Sequence, residues 1–204
     1  MARFIFAVCL AAASALNPQI GRRGANALIA TGVLSTAPLP SLARPEGVNK
    51  PELLPPLRAD GSAPTVIDVG VNFLTKGEQR QAEKLIAQFE QQSGFKLRVL
   101  CQQYPQTPGL AIRDYWGVDG KTIVLIADKG LKGTSNILNF NVGEGLGELL
   151  PNIFWTRLQG RYGTSRYYRD NGEDIAILNA IQSIAMCSEG CSDPPSEKTL
   201  AAKL

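Results

Sequence analysis

Apolar and polar positions follow two periods along this chain, and the change from one to the other marks its elements. Residues 65–71 (TVIDVGV) are apolar and β-branched, which predicts a strand. Thr75 and Glu78 then form a T-x-x-E capping box. Ala82, Leu85, Ile86 and Phe89 recur at helical spacing until Gly94 supplies a C-cap. Residues 96–101 alternate, with Leu97, Val99 and Cys101 on one face, and predict a second strand. A Pro-rich loop over 102–109, a short helix or turn over 110–116 and an Asp119-Gly120 turn follow. They lead to TIVLIA at 122–127, the unbroken apolar run expected of a strand buried on both faces. In 136–142, Leu138, Phe140 and Val142 alternate with Asn139 and Asn141, which predicts a half-exposed strand. Pro151 suits the first turn of a helix running to about Gln159. Residues 172–187 predict the last helix, with Ile175, Leu178, Ile181, Ile184 and Ala185 inward.

Strand, helix, strand, helix, strand, strand, helix, helix is an α/β order. It predicts a single three-layer α/β/α domain over residues 65–190 with a small mixed sheet of about four strands. Residues 44–64 carry five prolines and read as an extended lead-in that does not pack as an element. Residues 191–204 read as a polar, disordered tail.

The first 43 residues have a different character. Residues 4–16 (FIFAVCLAAASAL) form a short apolar run after Arg3, with small residues behind it. The run is too short to span roughly 30 Å of hydrocarbon, so it reads as a secretory signal with Ala13-Ser14-Ala15 as its cleavage region. Arg22 and Arg23 then precede an uncharged, Ala-rich stretch, Pro38, Pro40 and a Ser41-Leu42-Ala43 site. This resembles a twin-arginine translocation signal. Two export signals in series resemble the bipartite presequence of algae with secondary plastids, the second leading into the thylakoid lumen.

Charge sharpens this division. The chain has 204 residues and a formal net charge of +3, from 21 Lys+Arg and 18 Asp+Glu. Arg3, Arg22 and Arg23 stand in a leader with no acid, which leaves 18 basic against 18 acidic residues from Arg44 onward. A neutral mature chain argues against a nucleic-acid or anionic-lipid surface. The absence of histidine excludes Ser-His-Asp and Cys-His nucleophile pairs and His-based zinc sites. Catalysis would need carboxylates, Lys, Tyr, Ser/Thr, Cys or a metal on oxygen ligands.

Asp68 and Asp128 stand at predicted strand ends, where ligands of open α/β sheets bind. Together they could hold Ca²⁺ or Mg²⁺, hard cations that take carboxylate oxygens; the other reading is two loop-capping aspartates. Asp114 and Asp119 are weaker candidates, the latter explained by its turn. Gly143, Glu144 and Gly145 open a glycine-rich turn that permits close backbone approach, a candidate cation or partner loop. Gly120-Lys121-Thr122 lacks the earlier glycine of a phosphate loop and precedes a strand, so it is a turn. RLQGRYGTSRYYR at 157–169 interleaves arginine and tyrosine. Net neutrality favours a loop pinned by its tyrosines over a single-strand binder, with Arg161 and Arg166 as candidate partner contacts. Cys187 and Cys191 form a local disulfide or stay as two thiols, and Cys101 reads as core.

In order along the chain, ARPEGVNKPELLP (43–55), TVIDV, GFKLRVL (94–100), YPQTPGLAIRDYW (104–116), TIVLIAD, NILNFNVG (136–143), FWTRLQGRYG (154–163) and GEDIAI (172–177) resemble the TPM domain family in its thylakoid-lumen 15 kDa branch. The resemblance implies an α/β/α fold and a plastid lumenal location. The wider family often carries a C-terminal transmembrane helix; this sequence shows none, so the mature chain is expected to be soluble in the lumen. It implies an auxiliary role with photosystem II or other thylakoid protein complexes in assembly or repair. Alternatively it implies a metal-dependent acid phosphatase using Ca²⁺ or Mg²⁺. Val66-Ile67-Asp68 fits the family's valine-x-aspartate pattern, and Gly143, Gly145, Leu146 and Glu148 fit its glycine-rich turn.

Overall fold

The computed structural model describes residues 49–130 and 136–202. All of these belong to the compact unit Leu42–Leu204. The leader and its two expected signals lie outside the described residues.

A four-stranded sheet organises the rest. Strand β1 (Val66–Asp68) leads into helix α1 (Lys76–Ser93), and β2 (Lys96–Gln102) returns parallel to β1. Helix α2 (Ala111–Trp116) precedes β3 (Thr122–Asp128), which is parallel to β2, and β4 (Leu138–Val142) closes the sheet antiparallel to β3. The strand order is β1-β2-β3-β4. The sheet is therefore mixed, as the α/β pattern predicts. Helices α3 (Asn152–Tyr162), α4 (Ser165–Asn171), α5 (Glu173–Met186) and α6 (Glu197–Ala201) complete the chain.

Local chemistry explains the element ends. The Thr75 amide donates to Glu78 Oε2 at 2.7 Å while the Glu78 amide donates back to Thr75 Oγ1, so α1 begins with a full capping box. Gly94 ends it at φ 72°, a left-handed turn that glycine makes without Cβ strain. Strand β1 is shorter than the apolar run predicts because Gly70 and Asn72 take positive φ and turn the chain. Pro151 is the N-cap of α3, one position before the first turn.

The two faces of the sheet are covered unequally. Leu97, Val99, Cys101, Ile123, Leu125 and Ala127 face α1, α3 and α5 in the main core. Ile67, Leu100 and Val124 face Ile112 and Trp116 of α2. That second layer is thin, and the Pro-rich lead-in helps to seal it. Trp116 Nε1 donates to the Pro64 carbonyl at 2.8 Å and the Tyr115 hydroxyl to the Pro55 carbonyl at 2.9 Å. Leu54 and Ala63 pack against the cluster. The described lead-in is thus packed and held in place, contrary to the sequence reading.

Helix α5 departs from its predicted amphipathic face. It is wrapped by α1, α3, α4 and α6, so buried positions run almost all round it, from Ala176 through Ala185. Ile175, expected inward, is instead 38% exposed in its first turn. Residues 165–171 form a helix where a loop was expected, because the Thr164 hydroxyl caps the Tyr167 amide. The expected disordered tail is packed as far as Leu200. Arg161 donates to the Pro194 carbonyl and the Tyr162 hydroxyl to the Pro195 carbonyl, and Leu200 is 2% exposed. The buried Gln182 amide donates to the Leu200 carbonyl at 3.2 Å.

Leu200→Ala is expected to lower unfolding stability by about 2–4 kcal/mol, the usual cost of emptying a buried leucine site. Denaturant titration measures it. A loss within a few tenths would mean the tail does not pack.

Candidate functional site

The carboxyl ends of the parallel strands carry the two predicted metal ligands, and the structure keeps them apart. Asp68 pairs in register with Cys101, which pairs with Ala127, whereas Asp128 pairs with Gln102. Side chains alternate across a strand. Asp68 therefore shares the face of Val66 and Cys101, toward α1. Asp128 shares the face of Val124, toward α2.

Each carboxylate is already engaged. Asp68 accepts from the amides of Val71 (2.8 Å), Asn72 (3.0 Å) and Phe73 (3.1 Å), and so folds the turn between β1 and α1. Asp128 accepts from Gln102 Nε2 at 2.9 Å and from the Gly130 amide at 2.7 Å. These two residues do not fit one shared Ca²⁺ or Mg²⁺ ion. No group of three or more acidic or cysteine side chains converges elsewhere among the described residues. Next to Asp128, Lys129 Nζ pairs with Glu173 Oε1 at 2.6 Å and sits 5.6 Å from the centroid of the Phe73 ring. The hydrogen bond from Lys129 holds the Glu173 carboxyl below its ordinary range. Cys101 is a buried free thiol whose pKa is raised by desolvation and, second, by the Asp68 charge. It is inert packing.

The glycine-rich turn has a structural task and a place beside a groove. A Cβ on Gly143 would stand 2.3 Å from the Gly120 carbonyl oxygen, so only glycine lets the end of β4 meet the Asp119-Gly120 turn. The Gly145 amide donates to that same oxygen at 2.9 Å. Beside this contact lies a groove of about 620 Å³ on the α2 face of the sheet. Ile112, Val124 and Val142 line it, with Arg113, Asn141 and Glu144 among its polar groups. It can take an apolar group with a polar end. Sequence reading reached Gly143 and Glu144 but missed Ile112, Arg113 and Asn141. The alternation of Asn141 with Phe140 and Val142 was the available signal.

Asp119 organises the turn on which the groove's wall rests. Its carboxylate accepts from the Thr122 hydroxyl at 2.6 Å, the Lys96 ammonium at 3.1 Å and the Lys121 amide at 3.0 Å. These donors, Thr122 first, bring its pKa down from 3.8 to about 2.

The remaining candidates are dispersed. Arg161 is occupied within the chain: besides Pro194, its guanidinium lies 3.8 Å from Asp193. Arg166 is solvent-exposed on α4, 3.9 Å from Asp170. Asp114 lies on α2, at the rim of a second, 490 Å³ groove formed with the lead-in. Cys187 and Cys191 are joined in a disulfide with Cα atoms 5.3 Å apart, at the point where α5 ends and the tail begins.

The chain is thus a mixed four-stranded α/β domain with a carboxylate at the end of β1 and a glycine turn pressed against Gly120. The family profile described as the TPM domain matches residues 67–187, and the chain belongs to that family. The chain is 48% identical over 141 residues to thylakoid lumenal 15.0 kDa protein 2, chloroplastic, of Arabidopsis thaliana. The match covers 69% of this chain and 59% of that relative's length. The chain is a plastid protein of the thylakoid lumen. In fold it is similar to the solution NMR structure of the N-terminal domain of a protein from P. gingivalis, at TM-score 0.53 and 17% identity. That match covers 69% of this chain and 91% of the other. Among the described residues no helix is long and apolar enough to cross a membrane.

Two outcomes follow from these carboxylates. Asp68→Asn should cost about 1–3 kcal/mol, because an amide oxygen replaces a charged acceptor of three backbone donors; thermal or denaturant unfolding reads it. Asp119 has a depressed folded pKa, so its stabilising contribution is present above 3.8 and is lost as pH falls toward about 2. The stability gap between wild type and Asp119→Asn should close over that interval and stay constant above it.

Proposed function

We propose that the chain is an auxiliary protein of the thylakoid lumen that binds photosystem II or its assembly intermediates. The observation that carries this reading is the divergence of Asp68 and Asp128. The strand-end carboxylates are spent on holding loops, while the groove beside Gly143 and Glu144 is left open to a ligand or partner. The lumenal relative supports the compartment, and the compartment restricts partners to those with lumenal surfaces. Native gels of solubilised thylakoids test the reading. The protein is expected to co-migrate with photosystem II or its precursors, and migration only as free protein at every stage of assembly would overturn it.

A second reading is favoured by the name of the matched family profile, TPM phosphatase. It makes the chain an acid phosphatase that depends on Ca²⁺ or Mg²⁺. Phosphate release from a generic aryl phosphate by residues 42–204, with each cation and with chelator, separates the two readings. The binding-protein reading expects no cation-dependent turnover. Turnover lost in both Asp68→Asn and Asp128→Asn, with each variant folded, would establish the phosphatase.

A further inference from the structure

The tail is a strap laid across α3 and α5, and few contacts hold it. Arg157 donates to the Ser192 carbonyl at 3.4 Å, and the Arg157 and Arg161 guanidiniums lie 3.6 and 3.8 Å from Asp193. All three charged groups are solvent-accessible, so these ion pairs add little. Arg161 and Tyr162 take the Pro194 and Pro195 carbonyls, and Gln182 takes that of Leu200. Helix α6 is five residues long, too short to persist away from the domain. Its order depends on the strap staying down.

The strap has one covalent fixing, and it sits at the root. Cys187 ends α5 and is 1% exposed, while Cys191 is only partly buried. Glu189 and Gly190 between them are exposed. Weaker bonds also hold this turn: the Gly190 amide donates to the Cys187 carbonyl at 3.0 Å, the Cys191 amide to the Leu149 carbonyl at 3.3 Å and the Ser188 hydroxyl to Gln92 Oε1 at 2.7 Å. With the disulfide in place the strap can lift only from Ser192 onward. With it broken, Ser188 to Cys191 can lift as well. The longer free segment gives the open strap more conformational entropy, whereas the closed strap keeps the same non-covalent contacts.

We propose that the Cys187–Cys191 bond is a redox switch for this strap, opened by a dithiol reductant. The reductant's thiolate attacks Sγ of Cys191, the more accessible sulfur. The S–S bond breaks, its electron pair goes to Cys187 and that sulfur takes up a proton. The reductant's second thiol then displaces Cys191, which is protonated in turn. Two electrons and two protons pass to the chain, and the dithiol leaves as a disulfide. Opening separates Asp193 from Arg157 and Arg161 and removes the acceptors of Tyr162 and Gln182. The reduced chain thus presents on α3 two guanidiniums and a tyrosine hydroxyl that the oxidised chain keeps engaged. The switch does not depend on the photosystem reading.

Hydrogen–deuterium exchange of residues 42–204, which hold both hydrophobic clusters complete, tests the switch, with dithiothreitol as the dithiol. The cysteines of this stretch are Cys101, Cys187 and Cys191, so the air-oxidised chain, once unfolded, should show the Cys101 thiol alone, and the reduced chain all three. The Thr199 and Leu200 amides donate to the Ser196 carbonyl, away from the disulfide, and so report the strap and not the turn. Reduction should speed their exchange about 10-fold, against the roughly 30-fold that loop entropy alone allows. The amides of β3 should stay within about 2-fold. Cys187→Ser with Cys191→Ser should exchange like the reduced chain, with or without dithiothreitol. Near-UV circular dichroism checks that this variant is folded, and the wild-type comparison decides by itself where it is not. Equal Thr199 and Leu200 exchange in the oxidised and reduced chains overturns the proposal. So does an equal acceleration of β3, which would mean that reduction loosens the whole domain. Three free thiols before reduction, or a dithiothreitol effect that persists in the serine variant, overturns it too.

Discussion

The two-sided burial of β3 is the constraint on which the rest of this domain depends. A strand flanked by β2 and β4 and apolar on both faces must be covered twice. The chain supplies one thick layer, in which α5 is itself surrounded by other helices, and only six residues of helix for the opposite side. The lead-in is drawn into the structure for that reason. Trp116 and Tyr115 present an apolar body to the sheet and a polar tip to the carbonyls of Pro64 and Pro55, so proline residues that can offer no amide still provide acceptors. The groove beside Gly143 lies where that thin cover stops short of β4.

Elements whose ends carry their own chemistry were legible in the sequence. The Thr75 capping box, the Gly94 cap and the run at 122–127 each announce a structure that neighbours do not have to enforce. Elements that exist because of their surroundings were not. Helix α4 spells Ser-Arg-Tyr-Tyr-Arg-Asp-Asn, with no apolar stripe, and is held by the Thr164 cap and the contact of Tyr167 with Tyr162. The tail has a single decisive apolar residue, Leu200, and its other anchors are backbone carbonyls at Pro194 and Pro195 that pattern reading cannot weigh. Ile175 sits outward because an α5 surrounded by helices offers no one face to predict.

The candidate site was legible in position and not in parity. Asp68 and Asp128 do stand at strand ends. Whether two such residues can share an ion depends on register, because a shift of one residue moves a side chain to the other face. Asp68 lies level with Cys101 and Asp128 level with Gln102, and that offset of one places the carboxylates on opposite sides of the sheet. Register arises from pairing between distant segments, so no local pattern encodes it. The glycine turn shows the converse. Its close approach to Gly120 was foreseeable as a type of contact, though not its partner.

The packed tail has a consequence for the order of events in the life of the chain. Pro194, Pro195 and Leu200 are made after α3 and α5, yet their carbonyls take the Arg161 guanidinium, the Tyr162 hydroxyl and the Gln182 amide of those helices. Synthesis runs from the N-terminus, so a nascent chain can assemble its sheet but cannot close the α3–α5 side. That side therefore closes only once residues 194–200 have been made. A chain stopped before Pro194 would carry every described strand and still leave Tyr162 and Gln182 without the acceptors that hold them.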